Sequence, residues 1–170
     1  MGSRFVIMTG ASGVGKTTIA RTIKKAHPGI PVFLEEKLNR PTDEFMESIG
    51  PTEGPGGPFQ RGFALYSIPQ LAKARQYGQP MLLDCQCRIA FLHEAITAAR
   101  ITDARIVLVE CDDETRDARL NGRGSPELAH EQMRSWSKYL HQEAVEAGLD
   151  ILDTSANSLD GNVTRVLAYL

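Results

Sequence analysis

Short apolar runs alternate along the chain with longer segments of mixed polarity. The apolar runs predict five β-strands, at residues 4–9, 31–34, 80–85, 104–110 and 151–153. The segments between them predict helices at residues 16–26, 42–49, 59–77, 89–100, 113–120, 127–147 and 159–170. The run that leads to Asp84 is apolar without alternation, as expected of a parallel strand buried on both faces. This order indicates a three-layer α/β fold, in which helices cover both faces of a five-stranded parallel sheet.

Glycine, proline and capping residues mark where several predicted elements begin and end. The first helix is expected to stop at His27-Pro28-Gly29, and Thr42 is the predicted N-cap of the second. Residues 50–58 hold seven Gly or Pro in nine positions, so we expect a loop without regular structure. Pro69 lies within the predicted helix 59–77 and is expected to kink it. Because the loop is too short to link two domains, we interpret it as a mobile loop beside a substrate site.

Residues 10–17 read GASGVGKT, which is the phosphate-binding pattern G-x-x-x-x-G-K-[S/T]. A predicted strand precedes the pattern and a predicted helix follows it, as this P-loop requires. The glycines let backbone N–H groups wrap a phosphate chain, and the start of the helix adds partial positive charge. We expect Lys16 to reach the outer phosphates and the Thr17 hydroxyl to bind Mg²⁺. The predicted phosphate contacts are Gly10, Ser12, Gly13, Val14, Gly15, Lys16, Thr17 and Thr18.

Polar side chains follow the predicted strands at their carboxyl ends, where ligands bind in parallel sheets. Asp84 comes directly after an apolar strand, and Glu35 and Glu36 end the neighbouring one. Asp84 is the candidate to orient Mg²⁺ or to act as the base on an acceptor hydroxyl. Glu35 and Glu36 are alternatives for the base, with Glu36 also a candidate contact of the acceptor. Gln86 extends the same strand end and is a further candidate acceptor contact.

Three arginines, Arg116, Arg119 and Arg123, recur at helical spacing after the fourth strand. On one helix face they would repel one another unless an anion neutralised them. Arginines on a closing segment stabilise the charge that develops in phosphoryl transfer, so residues 116–127 form a predicted lid with Arg119 and Arg123 as catalytic candidates. The alternative is a solvated basic face that pairs with nearby carboxylates.

The P-loop, the lid arginines and Asp153-Thr154-Ser155 together resemble the P-loop kinases of the adenylate kinase and shikimate kinase type. The resemblance implies a P-loop NTPase fold with a short lid, phosphate and Mg²⁺ binding by Lys16 and Thr17, and lid roles for Arg119 and Arg123. It also implies that the loop at Thr154, Ser155 and Ala156 lies against adenine. Further segments resemble a group of small bacterial P-loop ATPases and kinases: 123–129, 136–140, Gln86-x-Arg88 and Gln60-Arg61.

The chain also has a weaker likeness to deoxynucleoside kinases. In that family a Glu after the second strand and a Gln on the central helix hold the nucleoside, roles that Glu35 or Glu36 and Gln60 match. The family's acidic-Arg-Ser triplet is absent, because Asp84 is followed by Cys85. The acceptor-nucleotide signature of adenylate kinases is likewise not found between residues 36 and 80.

Residues 36–77 are predicted to enclose the acceptor. Arg40, Arg61 and Arg88 are candidates for a positive wall, since arginine binds carboxylates and phosphates in a bidentate way. This would suit an acidic or phosphorylated acceptor. Exposed arginines with no such role are the alternative.

Composition narrows the classes of function. A chain of 170 residues with 42% hydrophobic residues suits one domain, residues 1–170. A net charge of −2 argues against a dedicated nucleic-acid binder, and no apolar run approaches a membrane span. With strand and P-loop at the start we expect no cleavable secretory signal, and three cysteines do not suggest a disulfide framework. We therefore expect a cytoplasmic protein with reduced thiols.

The sequence thus predicts an ATP- and Mg²⁺-dependent kinase that acts on a small-molecule acceptor such as a nucleoside, a nucleotide or another hydroxyl-bearing or acidic metabolite. Two other classes stay open: a nucleotide-driven ATPase or switch that acts on a protein partner, and a kinase that acts within a polynucleotide. The sequence decides neither the acceptor, nor ATP against GTP, nor the oligomeric state.

Overall fold

The computed structural model describes residues 4–76 and 78–170 and contains a five-stranded sheet in which every strand pair is parallel. The strands are β1 (Phe5–Thr9), β2 (Val32–Leu34), β3 (Met81–Asp84), β4 (Ala104–Glu110) and β5 (Asp150–Asp153). Their order across the sheet is β2-β3-β1-β4-β5. Parallel neighbours need crossover connections, and the helices between the strands supply them. The predicted three-layer α/β fold is confirmed.

Residues 4–76 and 78–170 form seven α-helices around the sheet. They are α1 (Lys16–Ala26), α2 (Asp43–Ser48), α3 (Gly57–Ala74), α4 (Ile89–Ala98), α5 (Asp113–Gly122), α6 (Glu131–Glu146) and α7 (Leu159–Tyr169). Short 3₁₀ helices occupy Glu35–Lys37 and Pro126–Leu128. Within the described ranges, no helix combines the length and apolarity that crossing a membrane requires.

Successive side chains of β1 point to opposite faces, so this central strand contributes to both cores. Val6 and Met8 pack in one core with apolar residues of α1 and α7. Phe5 and Ile7 pack in the other with residues of α3 and α4. A smaller cluster joins Leu108 of β4 to α6. With both faces covered, the strands read as continuous apolar runs.

The strand register brings the polar strand ends together beside the loop that follows β1. Met8 pairs with Asp84, and Leu34 of β2 is level with the same residue from the other side. Across β4, Glu110 pairs with Asp153. The P-loop therefore lies between the carboxyl ends of β3 and β4, where ligands bind in sheets of this kind.

Two predicted helices differ most from the structure in where they begin and end. The helix predicted at 59–77 begins earlier, at Gly57, and ends at Ala74, where Arg75 adopts an extended backbone. Residue 77 lies outside the described part of the chain. The helix predicted at 127–147 begins only at Glu131, because a 3₁₀ turn precedes it and the His130 side chain caps it by accepting from the Met133 N–H. The predicted N-cap at Thr42 is confirmed, since its hydroxyl accepts from the Phe45 N–H at 3.2 Å.

Candidate functional site

The P-loop links β1 to α1 and approaches neighbouring backbone closely. Gly10 has a φ of 153°, and a Cβ there would collide with the Val109 carbonyl oxygen of β4. Gly15 has a φ of 102° and caps α1 in a left-handed conformation. Only glycine adopts both positions without strain. The loop is thus held against the sheet with the start of α1 facing the space in front of it, the geometry that favours phosphate.

Lys16, the first residue of α1, lies almost wholly inside this loop. Its side chain is only 7% exposed, and Nζ donates to the carbonyl oxygens of Gly10 at 2.8 Å and Ala11 at 3.1 Å. Burial lowers the pKa of Lys16, while the negative charge of Asp84 opposes that shift. The loop carbonyls and this carboxylate therefore hold a buried cation where phosphates would bind.

Thr17 and Asp84 form a pair of oxygen donors next to Lys16. The Thr17 hydroxyl donates to Asp84 Oδ2 at 2.6 Å, and Asp84 is only 5% exposed. Burial raises the pKa of Asp84, and Lys16 and Thr17 partly offset that rise. A hydroxyl and a carboxylate oxygen fit Mg²⁺, which takes few protein ligands and completes its shell with phosphate and water. Across the described ranges, no group of three His, Cys, Asp or Glu side chains is placed to hold a metal ion.

Gln86 connects the P-loop to Glu35. Its backbone N–H donates to Glu35 Oε2 at 2.6 Å, and its side-chain Oε1 accepts from the Ser12 hydroxyl at 3.2 Å. Burial raises the pKa of Glu35, and the N–H of Gln86 works against that rise. Glu35 is therefore positioned by the backbone after β3, within reach of the same space as Asp84.

Arg119 of α5 reaches across to the P-loop. One guanidinium nitrogen donates to Thr154 Oγ1 at 2.8 Å and to the Val14 carbonyl at 3.2 Å, and the other donates to the Thr154 carbonyl at 3.1 Å. Arg123 follows the last residue of α5 and is exposed. The three arginines keep the predicted helical spacing along α5 and its C-cap, but their surroundings differ. Arg116 is fully buried against Gly13 of the P-loop and pairs with Asp113 at 2.6 Å.

Two adjoining cavities open at this edge of the sheet. The larger, about 570 Å³, is lined by Arg119, Arg123 and part of the P-loop and first helix, namely Ser12, Gly13, Gly15, Lys16, Thr17 and Thr18. The smaller, about 230 Å³, lies at the ends of β2 and β3. Both cavities are lined by Lys16, Thr17, Glu36 and Gln86.

Residues 6–147 match the protein-family model described as an AAA domain. The chain belongs to the AAA domain family. No curated protein matches its sequence.

Solved structures with the fold of this AAA domain include several kinases. A gluconokinase from Sinorhizobium meliloti 1021 is 17% identical with a TM-score of 0.64, over 98% of this chain and 91% of that one. A shikimate kinase from Acinetobacter baumannii, in complex with shikimate, is 16% identical with a TM-score of 0.58, over 96% and 90%. A deoxyadenosine kinase from M. mycoides is 11% identical with a TM-score of 0.53, over 96% of each chain. The fold of this AAA domain is therefore that of the P-loop kinases, as the sequence predicted.

The loop after β5 of the AAA domain is organised by Asp153. Its carboxylate accepts from the Ser155 N–H at 2.8 Å, the Ser155 hydroxyl at 2.5 Å and the Ala156 N–H at 3.1 Å. These bonds, the hydroxyl first, lower the pKa of Asp153. Within this loop the larger cavity is lined by Thr154 and Asn157, whereas Ser155 and Ala156 do not line it. An adenine contact of Ser155 and Ala156 stays a prediction.

Four residues predicted to bind the acceptor have partners away from both cavities. Arg88 pairs with Glu143 of α6 at 2.9 Å, and its backbone N–H donates to Gln60 Oε1 at 2.8 Å. Arg40 lies over the Phe59 ring, 5.6 Å from its centroid. None of Arg40, Gln60, Arg61 and Arg88 lines either cavity. A role for them in acceptor binding stays a prediction, and the structure supports packing roles.

Arg61 holds three segments together. Its guanidinium contacts both carboxylate oxygens of Glu94 on α4, at 2.7–3.2 Å. It also donates to the carbonyl oxygens of Ile49 at 3.0 Å and Pro51 at 3.1 Å, which begin the glycine- and proline-rich loop. The Glu94 pair raises the pKa of Arg61 and lowers that of Glu94.

Replacing Arg61 is therefore expected to destabilise the fold. Arg61→Ala should lower the free energy of unfolding by about 1–3 kcal/mol, since a bidentate pair and two loop carbonyls lose their partner. Denaturant unfolding monitored by circular dichroism measures the change. The exposed Arg165 serves as a control, and Arg165→Ala should unfold as the parent does. Equal stability of Arg61→Ala and the control would contradict this role.

Sequence reasoning missed residues of α7 that line the larger cavity. Asn162 is 1% exposed, and its Oδ1 has no hydrogen-bond partner within the described residues. Asn157 and Leu159 line the same cavity. The sequence signal for Asn162 was an asparagine in the first turn of an otherwise apolar helix face. A buried polar side chain at such a position normally has a hydrogen-bond partner.

Proposed function

We propose that this chain is an ATP- and Mg²⁺-dependent kinase that transfers the γ-phosphate to a hydroxyl of a small molecule. The observation that carries the proposal is the pair of adjoining cavities that share Lys16 and Thr17. A phosphoryl group is transferred between two molecules, and such a site offers one space for the donor and one for the acceptor. The match to the AAA domain family and the fold of gluconokinase and shikimate kinase support the same assignment.

The larger cavity is proposed to hold the nucleotide. Lys16, Arg119 and Arg123 line it, and Glu36 is the one carboxylate in its lining among the described residues. An excess of cations with a P-loop suits a triphosphate. Lys16 would bind the outer phosphates, while Arg119 and Arg123 would stabilise charge on the transferred group.

The smaller cavity is proposed to hold the acceptor. Asp84 would accept the proton of the acceptor hydroxyl, with Glu35 as the alternative base. The hydroxyl oxygen would bond to the γ-phosphorus as the bond from that phosphorus to the β–γ bridging oxygen breaks, leaving ADP. Thr17 and Asp84 would bind Mg²⁺, which supplies charge neutralisation on the phosphates.

We further propose a cytoplasmic location. Cys85, Cys87 and Cys111 are all buried and unbridged, and the pKa of Cys87 is raised well above its ordinary value, first by its hydrogen bond with Cys85 and then by burial. Unbridged thiols are typical of a reducing compartment.

Arg119→Ala is expected to lower kcat by about a hundredfold or more, because one preorganised donor to the transferring charge is lost. Nucleotide should still bind through the P-loop. Arg119→Lys keeps the positive charge but loses the planar guanidinium. Its kcat should therefore lie between that of Arg119→Ala and that of the parent. Steady-state kinetics with isothermal titration of ATP measure both effects. Full activity of Arg119→Ala would rule out the lid role.

The proposed function is tested by ADP formation with Mg²⁺ and ATP against a panel of sugars, nucleosides, nucleotides and hydroxy acids, with Lys16→Ala as the blank. One compound that raises turnover far above the hydrolysis background supports the proposal. Flat hydrolysis across the panel, still lost in Lys16→Ala, would contradict it and favour a partner-driven ATPase.

A further inference from the structure

The smaller cavity has an acidic lining. Besides Lys16 and Thr17, it is lined by Leu34, Glu35, Glu36, Asp84, Cys85 and Gln86. Three of these are carboxylates, and Lys16 is the one cation among the described residues that line it. The larger cavity has the opposite balance, with three cations and one carboxylate. Positive side chains therefore predominate in the larger cavity and negative ones in the smaller cavity, although the two cavities share Lys16 and Thr17.

Lys16 does not offset this acidity for an acceptor. Its Nζ is directed into the P-loop, where the carbonyl oxygens of Gly10 and Ala11 bind it. In the proposed function it also serves the phosphates of the nucleotide. Mg²⁺ at Thr17 and Asp84 would likewise serve the phosphates of the nucleotide. An anionic group of the acceptor beside Glu35 and Glu36 would therefore lack a cation of its own.

Other arginines near the acceptor region are engaged elsewhere. Arg61 binds Glu94 of α4, and Arg88 binds Glu143 of α6. Arg21 pairs with Glu36 at 3.1 Å, but both side chains are more than half exposed, and Arg21 does not line the cavity. Among the residues that the structure describes, no arginine lines the smaller cavity to bind a carboxylate or a phosphate.

We propose that the acceptor is a small hydroxyl compound without a carboxylate or phosphate, either uncharged or carrying an amine, such as a sugar, an amino sugar or a nucleoside. This inference rests on the proposed kinase function. Hydroxyl and ammonium groups donate to carboxylates, so Glu35 and Glu36 can bind them, whereas an anion would be repelled at short range in a partly buried site. The volume of about 230 Å³ is below the roughly 300–1,000 Å³ of sites for drug-sized ligands, which indicates a small acceptor.

Matched pairs of acceptors test the inference. ADP formation is measured with Mg²⁺ and ATP for glucose against gluconate, adenosine against AMP, and glucosamine against glucosamine 6-phosphate. We expect activity with at least one uncharged or amino-bearing member, and a kcat/KM at least about tenfold above that of its anionic partner. Turnover with gluconate, AMP or the sugar phosphate that equals or exceeds its partner would overturn the inference and leave the kinase function standing. If no member of any pair raises ADP formation, the proposed function fails and this inference fails with it.

A charge variant tests whether the acidic wall causes the preference. Glu36→Gln keeps the size of the side chain and removes its charge, so the ratio of kcat/KM between the two members of the active pair should fall by about threefold or more. The exposed Glu146 lies on α6 outside both cavities, and Glu146→Gln should leave the ratio unchanged. An unchanged ratio in Glu36→Gln, with the preference intact, would contradict an electrostatic origin in this wall.

Discussion

Lys16→Ala is expected to lower acceptor-dependent turnover by about a thousandfold or more, which would leave it at the background of the assay. The side chain is buried in the P-loop, and its ammonium is the one cation that lines both cavities among the described residues. Removing it takes away the charge closest to the phosphate as it passes from donor to acceptor. The measurement is kcat by coupled ADP detection with the best acceptor.

Lys24 provides a matched control for this substitution. It lies on the same helix, α1, but is exposed to solvent. Lys24→Ala should therefore retain the kcat of the parent. Thermal unfolding of both variants shows whether each protein is folded. It therefore distinguishes a loss of activity in Lys16→Ala from a loss of fold. Retained turnover in a folded Lys16→Ala protein would rule out phosphate binding by this residue.

Asp84→Asn is expected to lower kcat by about a hundredfold or more, because general base catalysis contributes about 10²–10⁴-fold. Asparagine has the same shape and can still accept from the Thr17 hydroxyl, which now donates at 2.6 Å. What it loses is the negative charge that takes the proton and binds Mg²⁺. Steady-state kinetics at saturating Mg²⁺ and ATP measure the effect, with Glu146→Gln as a control that should keep full activity.

The raised pKa of Asp84 makes the same substitution a test of stability. Burial raises the pKa of Asp84 in the folded state. At a pH above the pKa that Asp84 has in the unfolded chain, the unfolded chain therefore loses the Asp84 proton more readily than the folded protein does. The parent therefore loses stability as pH rises through the two pKa values, and Asp84→Asn lacks this loss. At neutral pH the variant should melt at a higher temperature than the parent, and the difference should shrink below pH 4.

The pH profile of kcat/KM completes this prediction. With Asp84 free to act as the base, the parent should gain activity as pH rises through its raised pKa, whereas Mg²⁺ bound to this carboxylate would lower the pKa and move the rise to lower pH. The residual activity of Asp84→Asn should lack that rise. A variant that melts below the parent at neutral pH, or that keeps the parent's kcat, would contradict a buried catalytic carboxylate at this position.

The sequence was sufficient for features that depend on neighbouring residues or on regular geometry. The P-loop is a continuous pattern between a strand and a helix, and its backbone follows from its glycines. The meeting of Thr17 with Asp84 could also be anticipated, because the carboxyl ends of adjacent parallel strands lie at one edge of the sheet.

Partners that are distant in sequence could not be predicted in the same way. Arg88 finds Glu143 on α6, and Arg61 finds Glu94 on α4, through packing that no spacing along the chain records. Arg116 is spaced like Arg119 on α5, yet the approach of Gly13 buries it. The charge available to an acceptor therefore becomes visible only once the helices are packed.

The most direct test of the proposed kinase follows the γ-phosphorus itself. ³¹P NMR of the protein with Mg²⁺, ATP and the most active acceptor distinguishes a phosphate ester from inorganic phosphate. The proposed function predicts a new phosphate ester that grows in step with ADP and does not form with Lys16→Ala. Inorganic phosphate as the sole product besides ADP would contradict phosphate transfer to a small molecule.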